Sequence, residues 1–192
     1  HLQKVEGDVI TAGLFFGDYL PHLSRVVGHN HRVWGFEPSS KNYAAARGTV
    51  WENNLLNIWL GNAALGNSSG GSIELCVAVG SGHSVQLGGE SHTVRAPQEA
   101  ARCSVEYAPL VAIDDVVPIE RQVSAIHLDV EGAELDALRG AQRVIQQWQP
   151  LIVLEANRVG RQRQFMEQLH YKQVAKHEAN LMFMPSSKHV PS

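Results

Sequence analysis

The sequence predicts one α/β domain, in which a mostly parallel, twisted sheet carries helices on both faces. Short apolar runs rich in β-branched residues alternate with stretches of helical periodicity, which is typical of strands connected by crossover helices. A length of 192 residues suits a single compact domain with its own core and a ligand cleft. We therefore expect residues 1–192 to form one domain with at least five parallel strands.

The predicted strands are short apolar runs of the kind that is buried inside a parallel sheet. Pro38 ends the second of them, because proline has no N–H to donate to a ladder. Two short runs near the C-terminus are expected to close the sheet. In chain order, the strands cover residues 8–13, 32–37, 57–64, 124–130, 151–156, 172–175 and 181–184.

Helices are predicted between these strands, where apolar residues recur at helical spacing. Asp18 caps the first helix, and Pro21 falls in its first turn, where a missing N–H costs nothing. Ser39 or Ser40 caps the second helix, and Pro150 ends the third. The four helices cover residues 18–27, 39–54, 134–148 and 161–170.

Residues 72–107 interrupt the alternation and predict an inserted β-hairpin with a long loop. Residues 72–79 and 102–107 alternate like strands, and the glycines between them frame a polar loop that reaches about residue 98. Long loops in compact domains often act as lids. We expect this loop to close over a bound substrate.

Composition and charge argue against several classes of function. The net charge of −3 and the pI of about 6.4 provide no basic surface for nucleic acid or an acidic membrane. No apolar run approaches about 18 residues, so no membrane span is predicted. The chain begins with His1 and shows no signal-peptide pattern. We expect it to be a segment of a longer protein, in which additional domains are possible.

The two cysteines, Cys76 and Cys103, match neither a CxxC pair nor a zinc spacing. Both lie in apolar contexts, where buried free thiols are commoner than a single disulfide. Free thiols indicate a reducing compartment, so we expect a cytoplasmic protein.

A glycine turn and a strand-end acid predict a nucleoside site. Gly13 and Gly17 join the first strand to the first helix, where glycine allows a sharp turn and a close approach of a ligand. Glu37 ends the second strand, and the carboxyl ends of neighbouring parallel strands open into one crevice. A carboxylate there can accept hydrogen bonds from both hydroxyls of a ribose. The alternative is that these are ordinary turn glycines and a solvated acid.

The glycine spacing distinguishes between adenosine-bearing cofactors. A dinucleotide site uses GxGxxG, whose backbone N–H groups and helix N-terminus hold a pyrophosphate. This chain has GxxxG instead, and Asp18 places an anion where the phosphate would lie. We expect a cofactor with ribose and without phosphate, and S-adenosylmethionine fits through its cationic sulfonium and ammonium groups.

Ionisable residues cluster after the predicted strand 124–130. Asp129 ends an otherwise apolar strand at the same crevice, where a charge is costly unless it is paired or used. Glu131 and Glu134 follow at the helix start, where ordinary carboxylates are also favoured by the helix dipole. His127 is either a catalytic group or a hydrogen-bonded core histidine. The other histidines are scattered without ligand spacing, so no metal site is predicted.

These motifs together resemble the FkbM family of S-adenosylmethionine-dependent methyltransferases, from about residue 8 to residue 185. The resemblance implies a Rossmann-like class I methyltransferase fold with a final antiparallel strand. It also implies methylation of a hydroxyl on a sugar, glycolipid or polyketide-type acceptor. The segments that carry it are AGLFFGDYLP, WGFEP, NNLLNI, NAALG, AIDDVV, IHLDVEGAELDALRGA and PLIVLEA.

The resemblance implies a cofactor site made of the glycine turn, the ribose acid and the border of the adenine. It also places three acids, Asp129, Glu131 and Glu134, on the acidic motif of the family. The cofactor residues are Gly13 and Gly17 for the turn, Glu37 for the ribose and Asn62 and Ala63 for the adenine, with Thr11, Asp18 and Pro38 beside them.

Two positions depart from the pattern of the family. Thr11 stands where these enzymes usually have an acid, and it supplies a hydroxyl without charge. His127 stands where the family often has lysine. An imidazole would replace that lysine only when protonated or through a different hydrogen bond.

Methyl transfer to a neutral hydroxyl requires alignment of the reacting atoms and removal of a proton. We expect Asp129 to be the general base, with His127 as the second candidate and Glu131 orienting the acceptor. Two other readings stay open. One is a cofactor-binding domain that is inactive or needs a partner, and the other is an NAD-type oxidoreductase.

Overall fold

The computed structural model describes residues 6–78, 85–88, 103–155 and 159–186. A seven-stranded sheet carries the site residues, and a four-stranded sheet lies beside it. The strands of the larger sheet are β1 (Asp8–Ala12), β2 (Val33–Phe36), β3 (Ile58–Gly61), β8 (Val123–Leu128), β9 (Leu151–Glu155), β10 (Tyr171–His177) and β11 (Asn180–Pro185). The smaller sheet contains β4 (Ala64–Leu65), β5 (Ser72–Ala78), β6 (Val85–Gly88) and β7 (Cys103–Val111).

The larger sheet has the order β10-β11-β9-β8-β1-β2-β3. Its five strands from β9 to β3 pair in parallel, while β11 pairs antiparallel with both β9 and β10. The prediction of at least five parallel strands and an antiparallel closing strand is therefore confirmed. In register, Thr11 of β1 pairs with His127 of β8, and Ala12 pairs with Leu128.

Helices cover both faces of this sheet. Alternate residues of β1 point to opposite faces and therefore belong to different core clusters. Ile10 packs in the larger cluster, and Val9 packs in the smaller one. The smaller cluster includes residues of the first two helices, and the larger includes residues of the last three. The helices are α1 (Leu20–Val27), α2 (Ser40–Glu52), α3 (Ile113–Val116), α4 (Glu134–Arg139), α5 (Gln142–Trp148) and α6 (Val159–Gln168).

The single helix predicted over residues 134–148 is wrong, because α4 and α5 are separate. Gly140 lies between them, and a Cβ on it would stand 2.0 Å from the carbonyl oxygen of Gly66. Asp114 accepts hydrogen bonds from the backbone N–H groups of Arg143 (2.7 Å) and Val144 (3.1 Å). These bonds satisfy the first amides of α5, which a continuous helix would satisfy internally.

The predicted inserted hairpin is present as β5, β6 and β7. β5 pairs antiparallel with both β6 and β7. Glu106 of β7 accepts hydrogen bonds from the N–H (3.1 Å) and hydroxyl (3.0 Å) of Ser40, which joins the hairpin to the start of α2. The loop expected to act as a lid lies largely outside the described residues.

The prediction of free thiols is wrong. Cys76 on β5 is disulfide-bonded, and the other cysteine of the sequence, Cys103, belongs to the neighbouring strand β7. The residues are distant in sequence, and antiparallel pairing of β5 with β7 brings their backbones close. A disulfide is typical of oxidising compartments, so the cysteines no longer support a cytoplasmic location.

Asp8 fixes the beginning of β1, at the edge of the sheet opposite its carboxyl ends. Its buried carboxylate accepts hydrogen bonds from the backbone N–H of Arg32 (2.9 Å), from Trp34 Nε1 (2.7 Å) and from the guanidinium of Arg121. Burial raises the pKa of Asp8, but these hydrogen bonds outweigh it and hold the pKa below its usual value.

Across the described part of the chain, every helix is too short or too polar to traverse a bilayer.

Candidate active site

A cavity of about 340 Å³ opens at the carboxyl ends of β1, β2 and β8. This is the place where ligands bind in open α/β sheets. Both the turn after β1 and the acidic turn after β8 contribute to its wall. The lining residues are Ala12, Gly13, Phe15, Phe36, Glu37, Pro38, Asn42, Ala63, Ala64, Leu65, Asp129, Val130 and Glu131.

Glu37 follows β2 and is only 3% exposed. One carboxylate oxygen accepts the backbone N–H of Phe15, and the other accepts that of Ser39, both at 3.0 Å. Burial raises the pKa of Glu37 above its usual value, while the N–H groups of Phe15 and Ser39 and the side chain of Asn42 act to lower it. The carboxylate is thereby held in one orientation at the cavity wall.

Gly13 turns the chain sharply after β1. Its φ is +83°, and a Cβ at this position would lie 1.9 Å from the carbonyl oxygen of Asp129. Glycine is therefore required where the backbones after β1 and β8 approach each other. Gly17, with φ +70°, lies outside the cavity. Its lack of a Cβ leaves room for Leu20 of α1 and Ala46 of α2.

Asn62 acts on the cavity through the backbone. Its Nδ2 donates hydrogen bonds to the carbonyl oxygens of Glu37 (2.8 Å) and Pro38 (3.0 Å). These bonds tie the segment after β3 to the segment after β2. Ala63, the next residue, lines the cavity directly.

The turn after β8 brings carboxylates to the cavity. Asp129 and Glu131 line it, and one oxygen of each lies within 4.8 Å of an oxygen of Glu155 at the end of β9. Partial burial raises the pKa of Glu131, and the charges of Asp129 and Glu134 raise it further. Three carboxylates at this spacing could hold a cation, although exposed acidic groups of this kind are common without one.

Glu134 has a structural role in this turn. It is fully buried, and its two oxygens accept hydrogen bonds from Gly132 N (3.0 Å) and Gln162 Nε2 (3.1 Å). The first bond closes the turn between β8 and α4, and the second ties α4 to α6. Glu134 therefore stabilises the turn that carries Asp129 and Glu131, without lining the cavity itself.

Thr11 and His127 meet below the floor of the cavity. The Thr11 hydroxyl lies 2.9 Å from the Tyr19 hydroxyl and 3.2 Å from His127 Nδ1. Burial lowers the pKa of His127, and the charge of Asp129 only partly offsets this, so the imidazole is neutral near pH 7.

The structure brings about half of the predicted site residues to the cavity wall. Among the residues that the structure describes, the other five lie around the wall without lining it. Sequence reasoning missed Phe15, Phe36 and Asn42 on the wall, and Tyr19 beneath it. Phe15 lies inside the GxxxG turn, so its position was a usable signal. The predicted residues on the wall are Gly13, Glu37, Pro38, Ala63, Asp129 and Glu131, and those around it are Thr11, Gly17, Asp18, Asn62 and His127.

The sequence matches one family and several solved structures. The family described as Methyltransferase FkbM domain matches residues 12–185. No curated protein matches the chain. Methyltransferase FkbM from Methylobacillus flagellatus KT has a TM-score of 0.64 and 18% identity, over 93% of this chain and 43% of that one. The chain thus spans less than half the length of this relative.

Two other solved structures share the fold at lower identity. A SAM-dependent methyltransferase from Aquifex aeolicus has a TM-score of 0.52 and 12% identity, over 96% of this chain and 84% of that one. Fibrillarin from Aeropyrum pernix, solved with S-adenosyl-L-methionine, has a TM-score of 0.52 and 13% identity, over 94% and 66%. The fold is that of the Rossmann-like methyltransferases. Because the family match covers nearly all of the sequence, the chain belongs to the FkbM methyltransferase domain family.

Proposed function

We propose that this chain is an S-adenosylmethionine-dependent O-methyltransferase whose acceptor is a hydroxyl on a sugar, glycan or polyketide-type molecule. Membership of the FkbM family supports methyl transfer. The observation that carries the proposal is the buried carboxylate of Glu37, which two backbone N–H groups hold at the cavity wall.

The cavity fits the adenosine part of the cofactor. Its volume of about 340 Å³ falls within the range of about 300–1,000 Å³ that is usual for small-molecule sites. The Glu37 carboxylate, which the N–H groups of Phe15 and Ser39 and the side chain of Asn42 hold in place, lines this cavity and is the acceptor that we propose for the ribose hydroxyls. Phe36, Ala63 and Leu65 supply apolar surface for an adenine ring. The GxxxG turn lacks the glycine spacing of a pyrophosphate site, and Asp18 follows it directly, which disfavours a dinucleotide.

The two exposed acids suit the rest of the cofactor. S-adenosylmethionine, when bound, supplies an electrophilic methyl group on a sulfonium. Asp129 and Glu131 place negative charge on the cavity wall, which favours cationic sulfonium and ammonium groups over neutral or anionic ones. Thr11, predicted to contact the cofactor, directs its hydroxyl to Tyr19 and His127 instead.

Asp129 is the base in this proposal. It lines the cavity and is exposed, so its carboxylate can reach a hydroxyl that enters from solvent. His127 is a poorer candidate, since its Nδ1 lies beside the Thr11 hydroxyl and the residue lies off the described cavity wall. Glu131 accepts a hydrogen bond from the acceptor and orients it. General-base assistance contributes about 10²- to 10⁴-fold to such reactions.

The acceptor in this proposal is a small, polyhydroxylated molecule. Several hydroxyl groups can donate to Asp129 and Glu131 at once, which a sugar or a polyketide chain provides. A net charge of −3 offers little attraction for nucleic acid.

The proposed location is cytoplasmic. It requires that the disulfide of Cys76 be reduced in the cell.

The test has two steps. Calorimetric titration with S-adenosylhomocysteine and with NAD should give binding of the first only, and binding of NAD alone would overturn the proposal. Incubation with methyl-labelled S-adenosylmethionine and a panel of sugars, glycans and polyketides should then transfer label to a hydroxyl. Cofactor binding with no transfer to any acceptor of this panel would overturn the proposed activity and identify an inactive or partner-dependent domain instead.

A further inference from the structure

Beneath the cavity, three side chains from separate elements form one hydrogen-bond chain. Thr11 on β1 lies between Tyr19, which precedes α1, and His127 on β8. The Thr11 hydroxyl is fully buried and contacts both partners, at 2.9 Å and 3.2 Å. The rings of Tyr19 and His127 also meet edge to face, with centroids 6.4 Å apart.

The hydrogen-bond chain lies next to two turns that line the cavity. Thr11 is two residues before Gly13, and His127 is two residues before Asp129, and both Gly13 and Asp129 line the cavity. The charge of Asp129 raises the pKa of both Tyr19 and His127.

We propose that Tyr19 and Thr11 are positioning residues that hold His127 in the neutral tautomer with its proton on Nε2, so that it serves beside Asp129 as a hydrogen-bond donor and not as a base. The proposal rests on the proposed function for its catalytic consequence. The tautomer itself rests on the hydrogen-bond partners of Thr11 and Tyr19, and not on the proposed function.

The direction of the hydrogen-bond chain is inferred by counting the donors and acceptors of its three side chains. If Tyr19 donates to Thr11, the Thr11 proton goes to His127 Nδ1, and every proton in the chain has an acceptor. In the opposite direction, the phenol proton of Tyr19 would have no acceptor among the residues that the structure describes. Most of Tyr19 is buried, and an unpaired donor with little access to water is unfavourable. In the proposed direction, Thr11 donates to Nδ1, and the neutral imidazole carries its proton on Nε2.

The electrostatics of the site keep the phenol of Tyr19 protonated. Burial and the negative charges of Asp129, Glu37 and Asp18 raise the pKa of Tyr19 to about 12, against the effect of the Thr11 hydrogen bond. The phenol therefore keeps its proton at neutral pH and remains a donor. A protonated imidazole would need Nδ1 to donate, which would reverse the chain.

The tautomer can be measured without any activity. Nitrogen-15 NMR of histidine-labelled protein, with the His127 signals assigned by subtraction in His127→Gln, should show an unprotonated Nδ1 and a protonated Nε2. Thr11→Val should populate both tautomers, because Nδ1 loses its donor. Thr11→Ser should restore the wild-type signals. A protonated Nδ1 in the wild type, or an unchanged tautomer in folded Thr11→Val, would overturn the proposal.

The catalytic consequence has its own readout. Tyr19→Phe and Thr11→Val should lower kcat by roughly 2- to 10-fold, as expected for one misdirected hydrogen bond, with the KM for S-adenosylmethionine unchanged. Tyr43→Phe is the matched control, since Tyr43 packs against Arg47 on α2 away from the cavity. An equal loss in Tyr43→Phe, or a rise in KM alone, would overturn the positioning role. A wild-type protein that does not bind S-adenosylhomocysteine would overturn the proposed function and leave the tautomer standing.

Discussion

A carboxylate oxygen of Glu37 accepts the backbone N–H of Phe15 at 3.0 Å, so the acid after β2 reaches the turn after β1. This bond joins the two segments that sequence analysis assigned separately to the ribose and to the glycine turn. The turn and the acid are therefore connected, and the orientation of the carboxylate depends on both.

Replacing Glu37 should weaken cofactor binding. Glu37→Gln keeps the size of the side chain but removes its charge and one of its acceptors. Hydrogen bonds to a charged group contribute about 1.5–3 kcal/mol, so we expect affinity for S-adenosylhomocysteine to fall by roughly 10- to 100-fold in calorimetry. Glu52→Gln, on the exposed end of α2, is the control and should bind as the wild type does. Equal affinities in all three proteins would contradict the assignment.

Replacing Asp129 should affect turnover and spare binding. Asp129→Asn removes the proposed base and keeps the shape of the side chain, so kcat should fall by about 10²- to 10⁴-fold. Affinity for S-adenosylhomocysteine should change far less than in Glu37→Gln. If Asp129→Asn turns over at the wild-type rate, another residue takes the proton.

Replacing Gly13 should destabilise the fold more than replacing another glycine of similar φ. Gly13→Ala would place a Cβ 1.9 Å from the Asp129 carbonyl oxygen, whereas Gly28, with φ +76°, has nothing within 4 Å of the same position. Gly28→Ala therefore reports the cost of the strained backbone alone, with φ +76° and ψ 177°, which is about 1–3 kcal/mol. Urea unfolding should show a clearly larger loss for Gly13→Ala, and equal losses would refute the close approach.

Replacing Asp8 should lower stability in a pH-dependent way. Asp8→Asn leaves Arg121 without its partner, and we expect a loss of about 3 kcal/mol, since Arg121 is itself 34% exposed. The pKa of Asp8 is lowered in the folded protein. Its contribution is thus complete above the ordinary carboxyl pKa of about 3.9 and disappears as the pH falls through the lower folded value.

Urea midpoints at a series of pH values test this directly. The wild type should lose more stability than Asp8→Asn between neutral pH and the acid range. Asp136→Asn removes an exposed pair with Arg139 and should change the free energy of unfolding by less than about 1 kcal/mol. Parallel pH profiles for the wild type and Asp8→Asn would show that Asp8 contributes nothing by its charge.

Reduction of the disulfide should loosen the hairpin. Removing such a crosslink costs about 2–4 kcal/mol, so a dithiol reductant should lower the midpoint of thermal unfolding. Cys76→Ser should unfold at this lower temperature with or without reductant. If the oxidised and reduced wild type unfold together, with alkylation confirming both states, the disulfide does not stabilise the protein.

The sequence predicted the parts of the site that lie at the ends of strands. Glu37 and Asp129 end apolar runs, and the carboxyl ends of parallel strands converge at one edge of a sheet. Their proximity therefore follows from the order of the elements alone. The parallel sheet was predictable from the alternation of strands and helices along the chain. The antiparallel direction of the final strand was predictable only from the family resemblance.

Features that depend on register and packing were not predictable. Thr11 and His127 are 116 residues apart, and only the pairing of β1 with β8 brings the hydroxyl to the imidazole. The disulfide of Cys76 depends in the same way on the pairing of β5 with β7. The break before α5 arises from the contact of Gly140 with the Gly66 backbone, which helical periodicity does not encode.

A crystal structure of the protein with S-adenosylhomocysteine would test the central claim most directly. We expect both ribose hydroxyls to donate to the Glu37 carboxylate and the adenine to lie against the apolar wall that includes Ala63. The sulfur should point toward Asp129. A ligand bound anywhere else, or crystals soaked to saturation with an empty cavity, would contradict the account.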